Sequence, residues 1–116
     1  MIAKELGIAV IGSGRIGSLR AILSSGHPAV KFLGVSDKEI NYAKKLSEKC
    51  NANLYTDNNS DLISHPDVNA VIVSTSEHEH LASVMQALEL GKPVLVEKPI
   101  ALTLSDADKI ISKVKE

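Results

Sequence analysis

Three glycines near the start of the chain have the spacing of a phosphate-binding turn. The pattern G-x-G-x-x-G is spelled by six consecutive residues: Gly12, Ser13, Gly14, Arg15, Ile16 and Gly17. In such a turn the first glycine permits the bend, the second leaves room for a pyrophosphate, and the third lets the following helix approach the strand. The free N–H groups at the start of that helix would then bind the phosphates. The alternative is a glycine-rich strand-to-helix turn that binds no ligand.

An acidic residue follows the glycines at the distance that dinucleotide-binding folds use. Asp37 lies twenty residues after Gly17, and a carboxylate there accepts hydrogen bonds from the adenosine ribose hydroxyls. It also repels a 2′-phosphate, so we expect NAD as the cofactor, with NADP possible because the neighbouring Lys38 could tolerate that phosphate. The alternative role is helix capping, since Ser36 and Glu39 have the spacing of a capping box. The two roles can coexist.

A lysine near the end of the chain could take part in hydride chemistry. Glu97 and Lys98 follow the last apolar run, at a strand end that faces the crevice where open α/β sheets bind ligands. When hydride leaves a carbinol, a nearby ammonium stabilises the negative charge on the oxygen and can relay its proton. The alternative, which these two residues alone favour, is a solvated loop pair.

Short apolar runs alternate with helical periods along the whole chain. Four apolar runs predict buried parallel strands: Ile8–Ile11, Phe32–Val35, Val71–Val73 and Val94–Val96. A weaker fifth strand is predicted at Leu54–Thr56. Four apolar faces at helical spacing lie between and after them: Ile16, Leu19, Ile22, Leu23; Ile40, Ala43, Leu46; Leu81, Val84, Met85, Leu88; and Ala107, Ile110, Ile111, Val114. A short helical turn is expected over 61–64. The alternation predicts one α/β domain over 1–116, a doubly wound parallel Rossmann sheet of strand order 3-2-1-4-5 that stops before a sixth strand.

Composition argues against several other classes of protein. Lys plus Arg number 13 and Asp plus Glu number 14, giving a net charge of −1, so we expect no nucleic-acid or membrane surface. No run approaches 18 apolar residues, and no signal peptide is recognisable. A single cysteine, Cys50, fits a reducing compartment. These features predict a cytoplasmic protein.

The last third of the chain carries a more specific pattern, VIVSTSEHEHLASVMQALELGKPVLVEKPIALT over 71–103. It resembles the glucose–fructose oxidoreductase, inositol dehydrogenase and MocA (Gfo/Idh/MocA) family. The matching positions are Thr75, His80, Gly91, Lys92, Val94, Glu97, Lys98 and Pro99. The glycine turn and the stretch 65–68 also look like the family, so the resemblance covers essentially the whole chain. Two positions depart from it: Ser76-Glu77 stands where Pro-Asn is usual, and Arg20 where many members have His.

The resemblance implies an oxidoreductase that transfers hydride between a nicotinamide cofactor and a sugar, cyclitol or related polyol. It implies that Lys98 is catalytic beside the nicotinamide and that Glu97 meets the nicotinamide ribose. Thr75, with its neighbour Ser74, would line the cofactor, and His80 would lie near the same region. The Lys98-Pro99 bond is a candidate cis peptide.

The family's second domain supplies an Asp, a His, most substrate contacts and the oligomer interface. We expect that this substrate domain is absent from the chain and that the chain alone binds dinucleotide with little turnover. The fifth strand would then be an open sheet edge, and an oligomer is possible.

Three other functions are possible from the residue types: a metal site, a dinucleotide sensor and a methyltransferase. His78 and His80 lie two apart and would not share a helix face, while Ser76 and Glu79 fit a capping box, so we expect no metal site. A stand-alone module that senses or carries a dinucleotide remains an alternative. An S-adenosylmethionine methyltransferase also uses a glycine turn, but the glycine spacing and the Glu97-Lys98-Pro99 motif disfavour it.

Overall fold

The apolar runs become five parallel strands whose neighbours confirm the predicted sheet. In the computed structural model, which describes residues 6–75 and 80–96, the strand order is β3-β2-β1-β4-β5. The strands are β1 (Leu6–Ile11), β2 (Val30–Ser36), β3 (Leu54–Thr56), β4 (Ala70–Val73) and β5 (Val94–Val96), and every neighbouring pair is parallel. This order is that of a doubly wound Rossmann sheet.

Four helices connect these strands and cover the two faces of the sheet: α1 (Arg15–Ser25), α2 (Ile40–Cys50), α3 (Asn59–Ile63) and α4 (His80–Glu89). Alternate residues of β1 point to opposite faces, as the two-residue period of a strand requires. Ile8 and Val10 pack with α1 and α2, whereas Ala9 and Ile11 pack with α3 and α4. The glycine turn between β1 and α1 is thereby held by a core on each side.

The predicted apolar face of α1 is wrong in part. Ile22 and Leu23 are 46% and 62% exposed, whereas Ala21 between helix and sheet is fully buried. Gly17 lies one helical turn before Ala21 and is also buried. Gly17 and Ala21 form the contact face because α1 lies close to the sheet, and Ile22 and Leu23 therefore lie on the outside.

The predicted capping box between Ser36 and Glu39 is also wrong. Glu39 itself precedes the first helical residue of α2, and no side chain caps that end. The Ser36 hydroxyl is fully buried and donates instead to Asn59 Oδ1 at 2.7 Å. Ser36 therefore ties the end of β2 to α3 and does not cap α2.

Helices α2 and α3 follow the predicted pattern in most respects. α3 begins two residues before the predicted turn because Asn58 Oδ1 accepts a hydrogen bond from the Asp61 N–H at 3.0 Å. On α2, Ala43 and Leu46 are buried as expected, but Ile40 is exposed. Cys50 is buried at the end of α2, and desolvation raises the pKa of its thiol, so it remains a neutral packing residue.

Lys92 has a structural contact that the sequence did not reveal. Its ammonium donates to the carbonyl oxygens of Ile63 and His65, at the carboxyl end of α3. The Ile63 carbonyl is the last of α3 and has no donor within the helix, so the lysine satisfies it and complements the negative end of the helix, while the His65 carbonyl also accepts from the Val68 N–H at 3.0 Å. Partial burial lowers the pKa of Lys92. Within the described residues, no helix combines the length and apolarity needed to cross a membrane.

Candidate functional site

The glycine turn lies where the carboxyl ends of β1, β2 and β4 meet. The Gly12 N–H donates to the Ser36 carbonyl at 2.8 Å, and the Ser74 N–H donates to the Ile11 carbonyl at 2.7 Å. Gly12 has a φ of 100°, and a Cβ added there would lie 2.7 Å from the Ser74 carbonyl oxygen. Both the backbone conformation and the neighbouring chain therefore require glycine at this position.

Gly17 is required by an even closer approach within the protein. A Cβ at this position would lie 1.9 Å from the carbonyl oxygen of Gly12. The first turn of α1 therefore packs directly on the glycine turn. Gly12 and Gly17 are both explained by protein packing alone.

Gly14 differs from its two partners, because no neighbouring atom requires glycine there. A Cβ at Gly14 would meet no described protein atom within 4 Å. Its φ of −75° and ψ of −161° are extended values open to any residue. Gly14 precedes the first helical residue of α1, and no side chain caps that end. The first N–H groups of the helix, at Arg15, Ile16 and Gly17, have no intrahelical acceptor.

The Asp37 carboxylate is held in place by two backbone donors. Its Oδ2 accepts from the Ser13 N–H at 2.9 Å, and its Oδ1 accepts from the Glu39 N–H at 2.8 Å. An ionised carboxylate has about four acceptor positions, so two remain for other donors. The carboxylate stands half-buried at the end of β2, beside the glycine turn.

Ser13 uses its own donors inside the protein. Besides the N–H bonded to Asp37, its hydroxyl donates to the Ser36 carbonyl at 3.0 Å, and its carbonyl accepts from the Ser18 hydroxyl at 3.1 Å. Ser13 therefore fixes the shape of the turn and the position of Asp37. Its predicted role as a cofactor ligand stays a prediction.

A pocket of about 250 Å³ joins these features. It is lined by Gly12, Gly14, Asp37, Lys38, Glu39, Tyr42, Asn59, Ser74 and Thr75. Six of the predicted cofactor residues are thus brought together, including the exposed Lys38. The Ser74 hydroxyl oxygen is buried and has no hydrogen-bond partner within the described residues. A buried hydroxyl of this kind is normally satisfied, so its position at the pocket is consistent with a polar ligand.

Sequence reasoning missed Glu39, Tyr42 and Asn59 as lining residues. A signal existed for Tyr42, a lone aromatic residue on a polar stretch five positions after Asp37. No sequence signal pointed to Asn59, because only the packing of α3 on the sheet brings this residue to the pocket.

Other predicted site residues lie outside the described part of the chain. Glu97, Lys98 and the Lys98-Pro99 bond belong to this group, as do the residues between Thr75 and His80. His80 is the first residue of α4, and its side chain lies outside the described part of the structure. Among the described residues, no cluster of three or more His, Cys, Asp or Glu side chains could hold a metal ion.

A larger pocket lies at the opposite end of the strands. Its volume is about 520 Å³, and its lining includes Leu6, Lys31 and Asn53, near the amino ends of the strands. Ligands of open α/β sheets bind at the carboxyl ends of the strands, at the point where the strand order reverses. Here that point lies between β1 and β4, beside the glycine turn, so the smaller pocket is the better candidate.

Comparison with known proteins places the chain in a family. Residues 6–116 match the model of the Gfo/Idh/MocA oxidoreductase family, described by its NAD-binding Rossmann fold. The chain belongs to this family. The resemblance inferred from the motifs is confirmed, and with it the Rossmann fold and the nicotinamide cofactor class.

Individual relatives show how much of a longer protein the chain corresponds to. It is 31% identical over 109 residues to the myo-inositol 2-dehydrogenase of Thermotoga maritima, covering 94% of this chain and 33% of that protein. It is 32% identical over 113 residues to the 2,7-anhydro-N-acetylneuraminate hydratase of Mediterraneibacter gnavus, covering 97% of this chain and 29% of that protein. The chain spans about a third of the length of the curated relatives that it matches.

A solved structure has the same fold. The myo-inositol dehydrogenase of Lactobacillus casei, in complex with NAD(H) and myo-inositol, superimposes with a TM-score of 0.88 at 26% identity. The match covers 97% of this chain and 34% of that one.

Proposed function

We propose that this chain binds NAD at the glycine turn and forms the cofactor-binding part of an oxidoreductase acting on a sugar, cyclitol or related polyol. The main support for the proposal is the open space around the Cα of Gly14. Packing accounts for Gly12 and Gly17, but no atom of the described residues accounts for the missing side chain at Gly14. A pyrophosphate lying against the backbone does account for it.

The residues of the glycine turn and of the ends of β2 and β4 then each have a role toward the cofactor. The N–H groups of Arg15, Ile16 and Gly17 bind the pyrophosphate at the positive end of α1. Asp37 accepts from the adenosine ribose hydroxyls with the lone pairs that Ser13 and Glu39 leave open. Ser74, whose hydroxyl has no protein partner within the described residues, donates to the cofactor from the end of β4.

The reacting end of the cofactor is assigned from the family pattern. Bound NAD supplies the nicotinamide carbon that accepts hydride. Glu97 holds the nicotinamide ribose, His80 lies nearby, and the Lys98 ammonium would stabilise the negative charge that develops on the substrate oxygen and relay its proton. The substrate class rests on the inositol dehydrogenases among the relatives. This chain matches about a third of the length of each relative, and we infer that most substrate contacts come from the other two thirds. A lone buried thiol is compatible with the cytoplasm as its compartment.

Calorimetric titration of the chain tests the cofactor assignment. NAD is expected to bind at least about tenfold more tightly than NADP, because a 2′-phosphate would lie against the Asp37 carboxylate. Asp37→Ala is expected to weaken NAD binding by about tenfold or more, the value of a charge-assisted hydrogen bond, and to narrow the preference. S-adenosylmethionine, the ligand of the methyltransferase alternative, is expected not to bind.

A matched variant separates charge from geometry. Asp37→Asn keeps one oxygen that can accept from the Ser13 N–H, and it removes the negative charge together with the acceptor of the Glu39 N–H. NADP should therefore gain on NAD while residue 37 stays attached to the glycine turn. Equal or tighter binding of NADP to the unmodified chain would contradict the assignment of Asp37.

A further inference from the structure

The pocket at the glycine turn has one aromatic wall. Tyr42 lies in the first turn of α2, lines the pocket with Asp37, and is 56% exposed. The neighbouring side chains on this helix, Asn41, Lys44 and Lys45, are exposed and polar. An aromatic ring of that exposure contributes little to the core, so packing gives no reason for it.

The position of Tyr42 relative to Asp37 defines which part of a dinucleotide would reach it. The ribose bound by Asp37 carries the pyrophosphate on one side and the adenine on the other. The pyrophosphate side faces α1, which follows β1. Tyr42 lies five residues after Asp37 on the connection from β2, away from β4 and β5, where the nicotinamide half would lie.

The chemistry of the pocket suits a purine ring. Every base presents a π face, and stacking on an aromatic side chain supplies binding energy without base-specific hydrogen bonds. Asn59 adds an amide to the same pocket, and the buried Ser36 hydroxyl orients it by donating to its Oδ1. Asn59 therefore gives the pocket a polar group whose orientation is fixed by a buried partner.

We propose that Tyr42 is the wall of the adenine subsite and that its ring stacks on the adenine of the cofactor. The inference rests on the proposed dinucleotide function and adds a residue that determines how the adenosine half is held. Tyr42 acts through the ring face rather than through its hydroxyl. The adenosine half therefore depends on it, and the nicotinamide half does not.

Titration with ADP-ribose, which carries the adenine and both phosphates, tests this assignment. Tyr42→Ala is expected to weaken ADP-ribose binding by about tenfold, the value of one stacked base, and NAD binding by a similar factor. Tyr42→Phe should retain the affinity within about twofold, because the ring face is preserved. Tyr42→Leu, which keeps apolar bulk but no π face, should resemble the alanine variant. Tyr55→Ala is the matched control, since Tyr55 is 40% exposed on β3 and does not line the pocket.

Fluorescence provides a second, independent readout. The chain has two tyrosines and no tryptophan, so its emission comes from Tyr42 and Tyr55. ADP-ribose should quench the emission of a Tyr55→Phe variant and leave that of a Tyr42→Phe variant nearly unchanged.

The outcomes distinguish a failure of the stacking role of Tyr42 from a failure of the proposed NAD binding. Unchanged affinity in Tyr42→Ala, with normal NAD binding by the unmodified chain, would overturn the stacking role and leave the proposed function standing. Full affinity in Tyr42→Leu would also overturn it, because apolar bulk would then suffice. Absence of NAD binding by the unmodified chain would overturn the proposed function and the inference together.

Discussion

Replacing Gly14 with alanine is expected to weaken NAD binding by at least about tenfold while changing the free energy of unfolding by less than about 1 kcal/mol. The added Cβ meets no described protein atom within 4 Å, and its backbone angles suit alanine. The small cost to folding comes from a poorer residue at the start of α1. The cost to binding comes from a methyl group placed where the pyrophosphate must approach the backbone.

Two measurements on the same variant check this expectation. Calorimetry gives the NAD affinity, and urea denaturation gives the free energy of unfolding. A Gly14→Ala chain with unchanged stability and unchanged affinity would remove the main support for a phosphate site at this turn.

Replacing Gly17 with alanine is expected to lower the free energy of unfolding by about 2–4 kcal/mol, as overpacking of a tight contact does. The added Cβ would lie 1.9 Å from the Gly12 carbonyl oxygen. Gly12 cannot easily yield, because its N–H is bonded to the Ser36 carbonyl and its Cα packs against the Ser74 backbone. The gain in helix propensity from alanine offsets only about 1 kcal/mol.

Gly26 provides the matched control for this prediction. It follows α1 with helical backbone angles, and a Cβ there would lie at ordinary contact distance, 3.8 Å from the Leu23 carbonyl oxygen. Gly26→Ala should therefore be neutral or slightly stabilising, by up to about 1 kcal/mol. Equal melting of the Gly17 and Gly26 variants would show that the contact between α1 and the turn is looser than the structure indicates.

The sequence predicted the sheet well because parallel strands carry a strong local signal. The runs at β1, β4 and β5 are unbroken, and alternation with helical periods restricts the topology to very few orders. Even the three residues of β3 were placed correctly. The face of α1 was missed because the prediction followed large apolar residues. Close packing of a helix on a sheet is instead achieved by small ones, here Gly17 and Ala21.

The positions of the predicted site residues in the fold follow from their motifs, while their roles toward a cofactor stay predictions. The glycine turn, Asp37, Ser74 and Thr75 come together as expected, because each follows the carboxyl end of a central strand. The capping role of Ser36 was wrong because a buried tertiary partner, Asn59, competes for its hydroxyl. Asn59 and Lys92 could not be anticipated, since their contacts join segments more than twenty residues apart.

The central claim is that this chain binds NAD at the glycine turn, at the carboxyl ends of the strands. Backbone amide chemical shifts, measured by NMR during an NAD titration, test it most directly because they report on each residue separately. The largest changes are expected at Gly14 to Gly17, at Asp37 to Glu39, and at Ser74 and Thr75. Changes clustered instead around Lys31 and Asn53, at the opposite end of the strands, or no changes at millimolar NAD, would contradict the account.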